Sequence, residues 1–331
     1  MTTTIPDRMQ AIVLESPNQD LEYRQVDVPK VGPGQVLVRM AASPINPSDL
    51  SFLRGSYTRV KPLPAVAGLE GSGTVVAAGS GVLPRFLLGK RVACGTPGGG
   101  WAEYLRVKAT GCIPLRKAIS LEQAAMLVVN PLTALSLFEI RRRGGHAAMV
   151  STAASGALGQ MIARMGRKLR VPVIHVVRRP AMVARLHGLG ADHALDSSQP
   201  DFPVRLKSLA HELKATLFLD AVGGELTGTL LEAAPDGSTI LLYGSAAPHT
   251  VTFKAGLIYT GGKKISGFYL GEWMAGKGVF GALQYAGQAQ RLLPTELRSE
   301  IRLRLPLAEA QKAVELYRQD QSAGKILLVI G

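Results

Sequence analysis

The chain has 331 residues, a length that predicts two domains of about 150 residues, each with its own hydrophobic core. Its 47% hydrophobic and 19% charged residues exclude a disordered chain, which would be poorer in apolar side chains. The net charge of +14 favours anionic partners, a class that includes nucleic acid, anionic membranes and acidic small molecules.

The first part of the chain, to about residue 115, is rich in Gly and Pro and carries short β-branched runs at residues 10–14, 35–41, 73–77, 90–93 and 104–107. Short strands between turn signals predict an antiparallel, barrel-like β domain. The N-terminal segment lacks a basic region followed by an apolar run, so it does not resemble a secretory signal. Two cysteines, Cys94 and Cys112, are too few for a disulfide framework, and a cytoplasmic location is expected.

From Leu121 helical patterns alternate with apolar strands at residues 147–150, 173–177, 217–220 and 239–243. Such a βαβ series predicts a doubly wound parallel sheet. The most apolar stretch, residues 124–138, is shorter than the roughly 20 residues of a membrane span. It predicts a buried helix pair or a bent helix, and no membrane partner is expected.

After Ser266 the pattern loosens, and a helix at 307–319 and an apolar strand at 326–330 follow. A strand this apolar at the chain end needs a sheet to join, so we assign it to the first domain. The expected organisation is an α/β protein with a β-rich domain of residues 1–122 and 266–331. A Rossmann-type domain of residues 123–265 is inserted into it.

A phosphate-binding loop is predicted directly after the strand at 147–150. There Ala153, Gly156 and Gly159 form A-x-x-G-x-x-G, a variant of the dinucleotide fingerprint, and a helical pattern follows. Small residues let the backbone approach a pyrophosphate, and the free N–H groups of a helix N-terminus favour the anion. The candidate residues are Ser155, Gly156, Ala157 and Leu158. A purely structural tight turn is the alternative.

The second strand of this series ends in Arg178 and Arg179, where an NAD site places an acid about 20 residues beyond the glycines. Two guanidinium groups suit a 2′-phosphate in charge and geometry, so NADPH is the predicted cofactor. The alternative is a pair of solvated surface arginines. Tyr243 and Gly244 end a later strand and are further candidates at the same sheet edge.

Several segments together resemble the medium-chain dehydrogenase/reductase superfamily. They are residues 43–49 (SPINPSD), 64–71 (PAVAGLEG), 130–133 (NPLT), the glycine loop, 189–193 (LGADH) and 324–327 (GKIL). Within it, residues 55–57 (GSY), 176–178 (VVR) and 267–270 (GFYL) are similar to the zinc-free quinone oxidoreductases and trans-2-enoyl-thioester reductases. The resemblance implies a GroES-like catalytic domain, a Rossmann domain and a homodimer. It also implies cofactor contacts from Asn130, Thr133, Phe268, Leu270 and Lys325.

No metal is expected, because a catalytic zinc needs about three Cys, His or acidic ligands. The neighbourhoods that supply them in the resembled alcohol dehydrogenases retain Glu70 alone. A neutral donor must then steady negative charge on a substrate carbonyl oxygen. The resemblance implies this role for Tyr57. It also implies that Asn46 positions the substrate and the nicotinamide through hydrogen bonds of its side-chain amide. The alternative for Tyr57 is a packing aromatic.

The sequence therefore predicts an NADPH-dependent, zinc-independent reductase that transfers hydride to a quinone or an activated C=C bond. A trans-2-enoyl thioester reductase of fatty-acid synthesis is one specific alternative. A non-catalytic NADPH-binding protein is another, since a fold does not guarantee an activity. The expected partner is a small-molecule acceptor and not a nucleic acid, because the basic residues are scattered without interleaved aromatic side chains.

Overall fold

A computed structural model describes residues 4–57, 62–246 and 250–331. Its elements before the midpoint of the chain are β1 (Arg8–Leu14), β2 (Glu22–Asp27), β3 (Gln35–Pro44), α1 (Pro47–Leu53), β4 (Ala65–Val66), β5 (Glu70–Ala78), α2 (Val82–Leu87), β6 (Arg91–Gly95), β7 (Tyr104–Lys108), β8 (Cys112–Pro114), α3 (Leu121–Ala124), α4 (Val129–Arg143), β9 (Ala148–Ser151) and α5 (Ala157–Leu169).

The remaining elements are β10 (Val173–Val177), α6 (Pro180–Gly188), β11 (His193–Asp196), α7 (Phe202–Glu212), β12 (Ala215–Asp220), α8 (Glu225–Ala233), β13 (Thr239–Leu242), α9 (Gly256–Tyr259), β14 (Lys264–Gly267), α10 (Leu270–Ala275), α11 (Gly278–Leu292), β15 (Ile301–Pro306), α12 (Ala310–Gln319) and β16 (Lys325–Val329). Two short 3-10 turns precede β8 and α12.

The chain divides into two compact units. Unit 1 comprises residues 1–129 and 299–331, and unit 2 comprises residues 130–298. The sequence placed the second boundary at 265/266 instead, which cuts β14. The hydrophobic pattern loosens there because three of the four β14 residues are exposed and α10 buries none, although β14 pairs with β13 in the sheet of unit 2.

Unit 1 is built on two β-sheets. Three strands pair in the order β2-β1-β4, and a seven-stranded sheet runs β15-β16-β3-β5-β6-β8 with β7 also paired to β3. All of these pairs are antiparallel except β15 with β16. The closing strand therefore joins the first-domain sheet, as predicted. The largest hydrophobic cluster of unit 1 includes side chains of β3, β5 and β6, together with α12.

Unit 2 contains a parallel six-stranded sheet in the order β11-β10-β9-β12-β13-β14. In chain order this is 3-2-1-4-5-6, the order of a Rossmann fold, whose strand order reverses between β9 and β12. Its strands β9, β10 and β12 are nearly continuous apolar runs because both faces of the sheet are covered there. The doubly wound fold class is confirmed. The apolar stretch at 124–138 runs from the last residue of α3 through the following turn into α4, so it joins two helices, as predicted.

Across the part of the chain that the structure describes, no helix is both long and apolar enough to cross a membrane.

Candidate active site

The loop between β9 and α5 lies at the carboxyl end of β9, where the strand order of the unit 2 sheet reverses. Open α/β sheets bind ligands at this position. Ala153 adopts a left-handed backbone with φ of 48°. A Cβ on Gly159 would lie 2.4 Å from the Ala154 Cα, so a glycine is needed for α5 to pack this closely on the loop.

The N-terminus of α5 offers backbone donors to an anion. Gly156 is the N-cap, and among the described residues no side chain caps this end and no acid lies in the first turn. Ser155, Gly156, Ala157 and Leu158 are all partly exposed. Since the first N–H groups of a helix lack partners within it and carry a positive dipole end, this donor set fits a pyrophosphate.

Arg178 and Arg179 follow β10 at the same edge of the sheet, and both are exposed. The nearest acid on the adjoining strand is Asp196, whose backbone lies opposite Val177. Its carboxylate already accepts bonds from the Ser198 N–H at 2.9 Å and hydroxyl at 2.8 Å. The described edge therefore presents guanidinium groups where an NAD site would present a carboxylate, and it suits a 2′-phosphate.

The sequence analysis did not identify a role for Asp220, the fully buried last residue of β12. Its carboxylate accepts bonds from the hydroxyls of Thr152 at 2.9 Å and Thr227 at 2.7 Å, and from the Val222 N–H at 2.8 Å. It thereby fastens the β9–α5 loop to the turn after β12. The sequence shows an acidic residue at the end of this predicted strand, but the spacing of residues along the chain could not show its hydrogen-bond partners.

The other predicted contacts of unit 2 lie just after β13 and β14 or on the helices α4 and α10. Tyr243 follows β13, and burial together with the charge of Asp220 raises the pKa of its phenol. Phe268 follows β14, donates its N–H to the Leu242 carbonyl at 2.8 Å and packs beside Trp273 at 6.1 Å between ring centroids. The remaining three are Gly244, which is exposed, Leu270, which begins α10, and Thr133, which is buried in α4.

Asn130 is also buried in the first turn of α4. All these cofactor contacts remain predictions. The structure gathers the candidates after β9, β10, β13 and β14 along one edge of the sheet. Since the strands are parallel, that edge is the carboxyl edge for each of them.

Unit 1 contains a buried polar network centred on Asn46. The Asn46 side chain donates to the Glu70 carboxylate at 2.8 Å and accepts a short bond from the Lys325 ammonium. Lys325 also donates to the Ile45 carbonyl at 3.2 Å. The Asn46 backbone N–H donates to Asp49 at 2.7 Å. The amide orientation of Asn46 is therefore set from both of its ends.

The charged members of this network, Asp49, Glu70 and Lys325, are each no more than 1% exposed. The second oxygen of Glu70 accepts the N–H groups of Val128 and Val129 at 3.1 and 2.9 Å. Lys325, predicted as a cofactor ligand, has two acceptors inside unit 1, and its cofactor contact remains a prediction. The ammonium also offsets the charge of the buried carboxylates.

Burial shifts the pKa values of all three groups toward their neutral forms. The pKa of Asp49 rises to about 7, because burial and the nearby Glu70 outweigh its backbone hydrogen bond from Asn46. Burial also raises the pKa of Glu70 and lowers that of Lys325 to about 8. The shifted pKa values of Asp49 and Lys325 therefore lie within about one unit of pH 7.

Replacing Asp49 with asparagine is expected to have a pH-dependent effect on stability. The folded pKa of about 7 lies above the ordinary value of 3.8, so the native protein loses stability as the pH rises through this interval. Asparagine cannot ionise and escapes that loss, but its amide nitrogen cannot accept the second backbone N–H. Urea unfolding should show that the variant is less stable than the wild type at about pH 5. This deficit in the free energy of unfolding should shrink by at least about 1 kcal/mol by about pH 8. An equal deficit at both pH values would contradict this account of Asp49.

Tyr57, the candidate proton donor, follows α1 and the left-handed Gly55, whose φ is 71°. It is half-buried and packs against the hydrophobic cluster of unit 1. This packing is the alternative that the sequence left open, and it leaves the proposed role of the hydroxyl untested. Among the described residues, no group of three or more His, Cys, Asp or Glu side chains could hold a metal ion.

The chain matches two family models. One is described as the alcohol dehydrogenase GroES-like domain and matches residues 32–117, and the other is described as zinc-binding dehydrogenase and matches residues 157–284. The mitochondrial enoyl-[acyl-carrier-protein] reductase of Mus musculus is 33% identical over 280 residues, which cover 81% of this chain and 74% of the relative.

Solved structures share the whole fold. A Mesorhizobium loti protein provisionally described as an NADPH:quinone reductase has a TM-score of 0.92 and 33% identity, with coverage of 99% of this chain and 100% of that one. The quinone oxidoreductase of Thermus thermophilus, also solved with NADPH, has a TM-score of 0.77 and 27% identity, with coverage of 97% and 100%.

The chain belongs to the medium-chain dehydrogenase/reductase superfamily, in its zinc-free quinone and enoyl reductase branch. It is an NADPH-dependent reductase, and the predicted fold class, enzyme class and cofactor are confirmed at the level of that family.

Proposed function

We propose that this enzyme reduces the C=C bond of a 2-enoyl thioester, with NADPH as the reductant. The observation that carries the proposal is the open N-terminus of α5 beside Arg178, a donor set for a pyrophosphate and a 2′-phosphate on one sheet edge. NADPH, when bound, supplies a hydride to the carbon β to the thioester carbonyl. The thioester is favoured over other activated alkenes by the names of the curated relatives.

The residues of unit 1 have separate tasks in this reaction. Hydride addition at the β-carbon moves negative charge onto the carbonyl oxygen, which then needs a donor. A phenol with an ordinary pKa of about 10 is neutral at pH 7, so Tyr57 can donate a hydrogen bond to that oxygen and pass its proton to the enolate. Asn46 is a positioning residue, because Glu70 and Lys325 fix both ends of its amide.

A quinone is the second candidate acceptor, and the names of the structural neighbours favour it. NADPH oxidation should be followed in parallel with a 2-enoyl thioester, a simple enone and a 1,4-benzoquinone. The proposal expects the highest kcat/KM with the thioester. Turnover of the quinone alone would identify the enzyme as a quinone reductase. No turnover with any acceptor would favour a non-catalytic NADPH-binding protein.

Replacing Arg178 with alanine is expected to weaken NADPH binding about tenfold to hundredfold and to leave NADH binding unchanged. One charged hydrogen bond contributes roughly 1.5–3 kcal/mol, and only NADPH carries the 2′-phosphate. Fluorescence titration of both cofactors measures the two dissociation constants. Arg142→Ala is the matched control, because Arg142 is also exposed but lies in the last turn of α4, before β9 and so at the opposite edge of the sheet.

Equal affinities of the unmutated protein for NADPH and NADH would contradict the 2′-phosphate assignment. An equal loss of affinity for NADPH and for NADH in the Arg178 variant would contradict it as well.

We further propose that two copies assemble through the unit 2 sheet. Three of the four β14 residues are exposed, and β14 is an edge strand whose outer backbone groups can pair with another chain. Sedimentation equilibrium should give twice the chain mass. A cytoplasmic location, also proposed, accords with the two free cysteines.

A further inference from the structure

The two cysteines of the chain face each other on neighbouring strands of the unit 1 sheet. Cys94 on β6 and Cys112 on β8 are directly paired in the antiparallel register, and their sulfur atoms lie 3.8 Å apart. Both are free thiols. Neither residue belongs to the proposed reductase site, so this arrangement calls for a separate explanation.

The backbone already has the separation that a disulfide requires. Directly opposed residues of an antiparallel pair have Cα atoms about 4.5–5.5 Å apart, and disulfides span about 4.4–6.8 Å. Closing the bond needs the two sulfur atoms to approach from 3.8 Å to about 2 Å. Rotation of the two side chains can supply this movement without separating the strands.

The two thiols differ in accessibility and in chemistry. Cys112 is partly exposed and Cys94 is fully buried, so an oxidant in solution reaches Cys112 first. The hydrogen bond with Cys112 and burial both raise the pKa of the Cys94 thiol, which therefore keeps its proton. Cys94 lies within reach of Cys112 while being shielded from the oxidant, which is the arrangement of a resolving cysteine.

We propose that Cys94 and Cys112 form a reversible redox couple in which Cys112 reacts with a peroxide and Cys94 resolves the product. The Cys112 thiol attacks one oxygen of the peroxide, the O–O bond breaks, and a sulfenic acid and one water form. The Cys94 sulfur then attacks the sulfenic sulfur, and its proton leaves with the hydroxyl as a second water. In total two thiols are oxidised to one disulfide and one hydrogen peroxide is reduced to two waters.

The crosslink would tie the edge strand β8 to β6 and close the intervening chain into a loop. A loop closed by a disulfide restricts the unfolded chain, so the oxidised protein is expected to melt at a higher temperature. On its other side β6 pairs with β5, where Cys94 is opposite Gly71.

The test treats the full chain with hydrogen peroxide, alkylates the remaining thiols with iodoacetamide and measures intact and peptide masses. The wild-type protein should become lighter by two hydrogen atoms, resist alkylation at both cysteines, melt at a higher temperature and recover fully with dithiothreitol. Cys94→Ser should instead accumulate a sulfenic acid at Cys112 that dimedone traps. Cys112→Ser should leave Cys94 reduced.

Two results would overturn the proposal. The first is wild-type protein in which Cys112 gains oxygen atoms while Cys94 is still alkylated after unfolding. The second is an equal rate of Cys94 oxidation in wild type and Cys112→Ser. Melting curves of both serine variants before oxidation establish that each is folded, so that a failure of the disulfide to form is not a failure to fold.

Discussion

Replacing Lys325 with methionine is expected to lower the free energy of unfolding by about 3–5 kcal/mol at about pH 8. Methionine has a similar volume but no charge, so Asp49 and Glu70 would be left buried without a counter-ion. Asn46 would also lose the partner of its amide oxygen. Removing one member of a buried charged group costs far more than the group itself contributes, because the remaining charge stays desolvated.

The loss should shrink as the pH falls to about 5.5, because Asp49, whose pKa is raised to about 7, then takes up a proton and becomes neutral. Lys312→Met is the matched control. Lys312 lies on α12 of the same unit and pairs with Glu309, with 62% of its side chain exposed, so its loss should cost no more than about 1 kcal/mol. Urea unfolding at both pH values measures these differences, and similar losses for the two lysines would refute the counter-ion role.

Replacing Tyr57 with phenylalanine is expected to reduce kcat for a 2-enoyl thioester at least about tenfold, since general-acid assistance typically contributes about 10²- to 10⁴-fold. The ring and its packing against the unit 1 cluster are retained, so melting temperature and NADPH affinity should stay unchanged. With a quinone the loss should be smaller, because the phenolate product is stabilised by its own ring. Steady-state kinetics with both acceptors measure the contrast.

Tyr23→Phe provides the control for this change, because Tyr23 is 47% exposed on β2 of the same unit and loses the same hydroxyl. A thioester rate within about twofold of wild type for Tyr57→Phe would mean that Tyr57 only packs. A parallel fall in melting temperature would instead assign the lost rate to damaged structure. Only the first outcome removes Tyr57 from the proposed mechanism.

The elements predicted best from the sequence are those with one hydrophobic pattern along their whole length. Residues 173–177 were predicted as a strand and form β10 over the same five residues, because each is buried and turn residues flank the run. The edge strands β11 and β14 were missed. Both have only four residues, and β14 is mostly exposed, so neither a continuous apolar run nor a clean alternation marks them.

In the candidate site, residues that are contiguous in sequence were likewise predicted better than residues that only the fold brings together. The loop at 153–159 was predicted because its glycines, its preceding strand and its helix are contiguous in sequence. The network around Asn46 joins residues 279 positions apart, and no local spacing marks such a contact. Lys325 was therefore predicted as a cofactor ligand on resemblance alone, and its hydrogen bonds to Asn46 and the Ile45 carbonyl could not be foreseen.

The fate of the transferred hydrogen tests the proposed reaction most directly. The enzyme would be incubated with a 2-enoyl thioester and NADPH carrying deuterium at the reactive position of the nicotinamide, and the product analysed by mass spectrometry and NMR. The account predicts a saturated thioester with one deuterium, bound to the carbon β to the carbonyl. A saturated product without deuterium at that carbon, or oxidation of NADPH with the thioester unchanged, would contradict it.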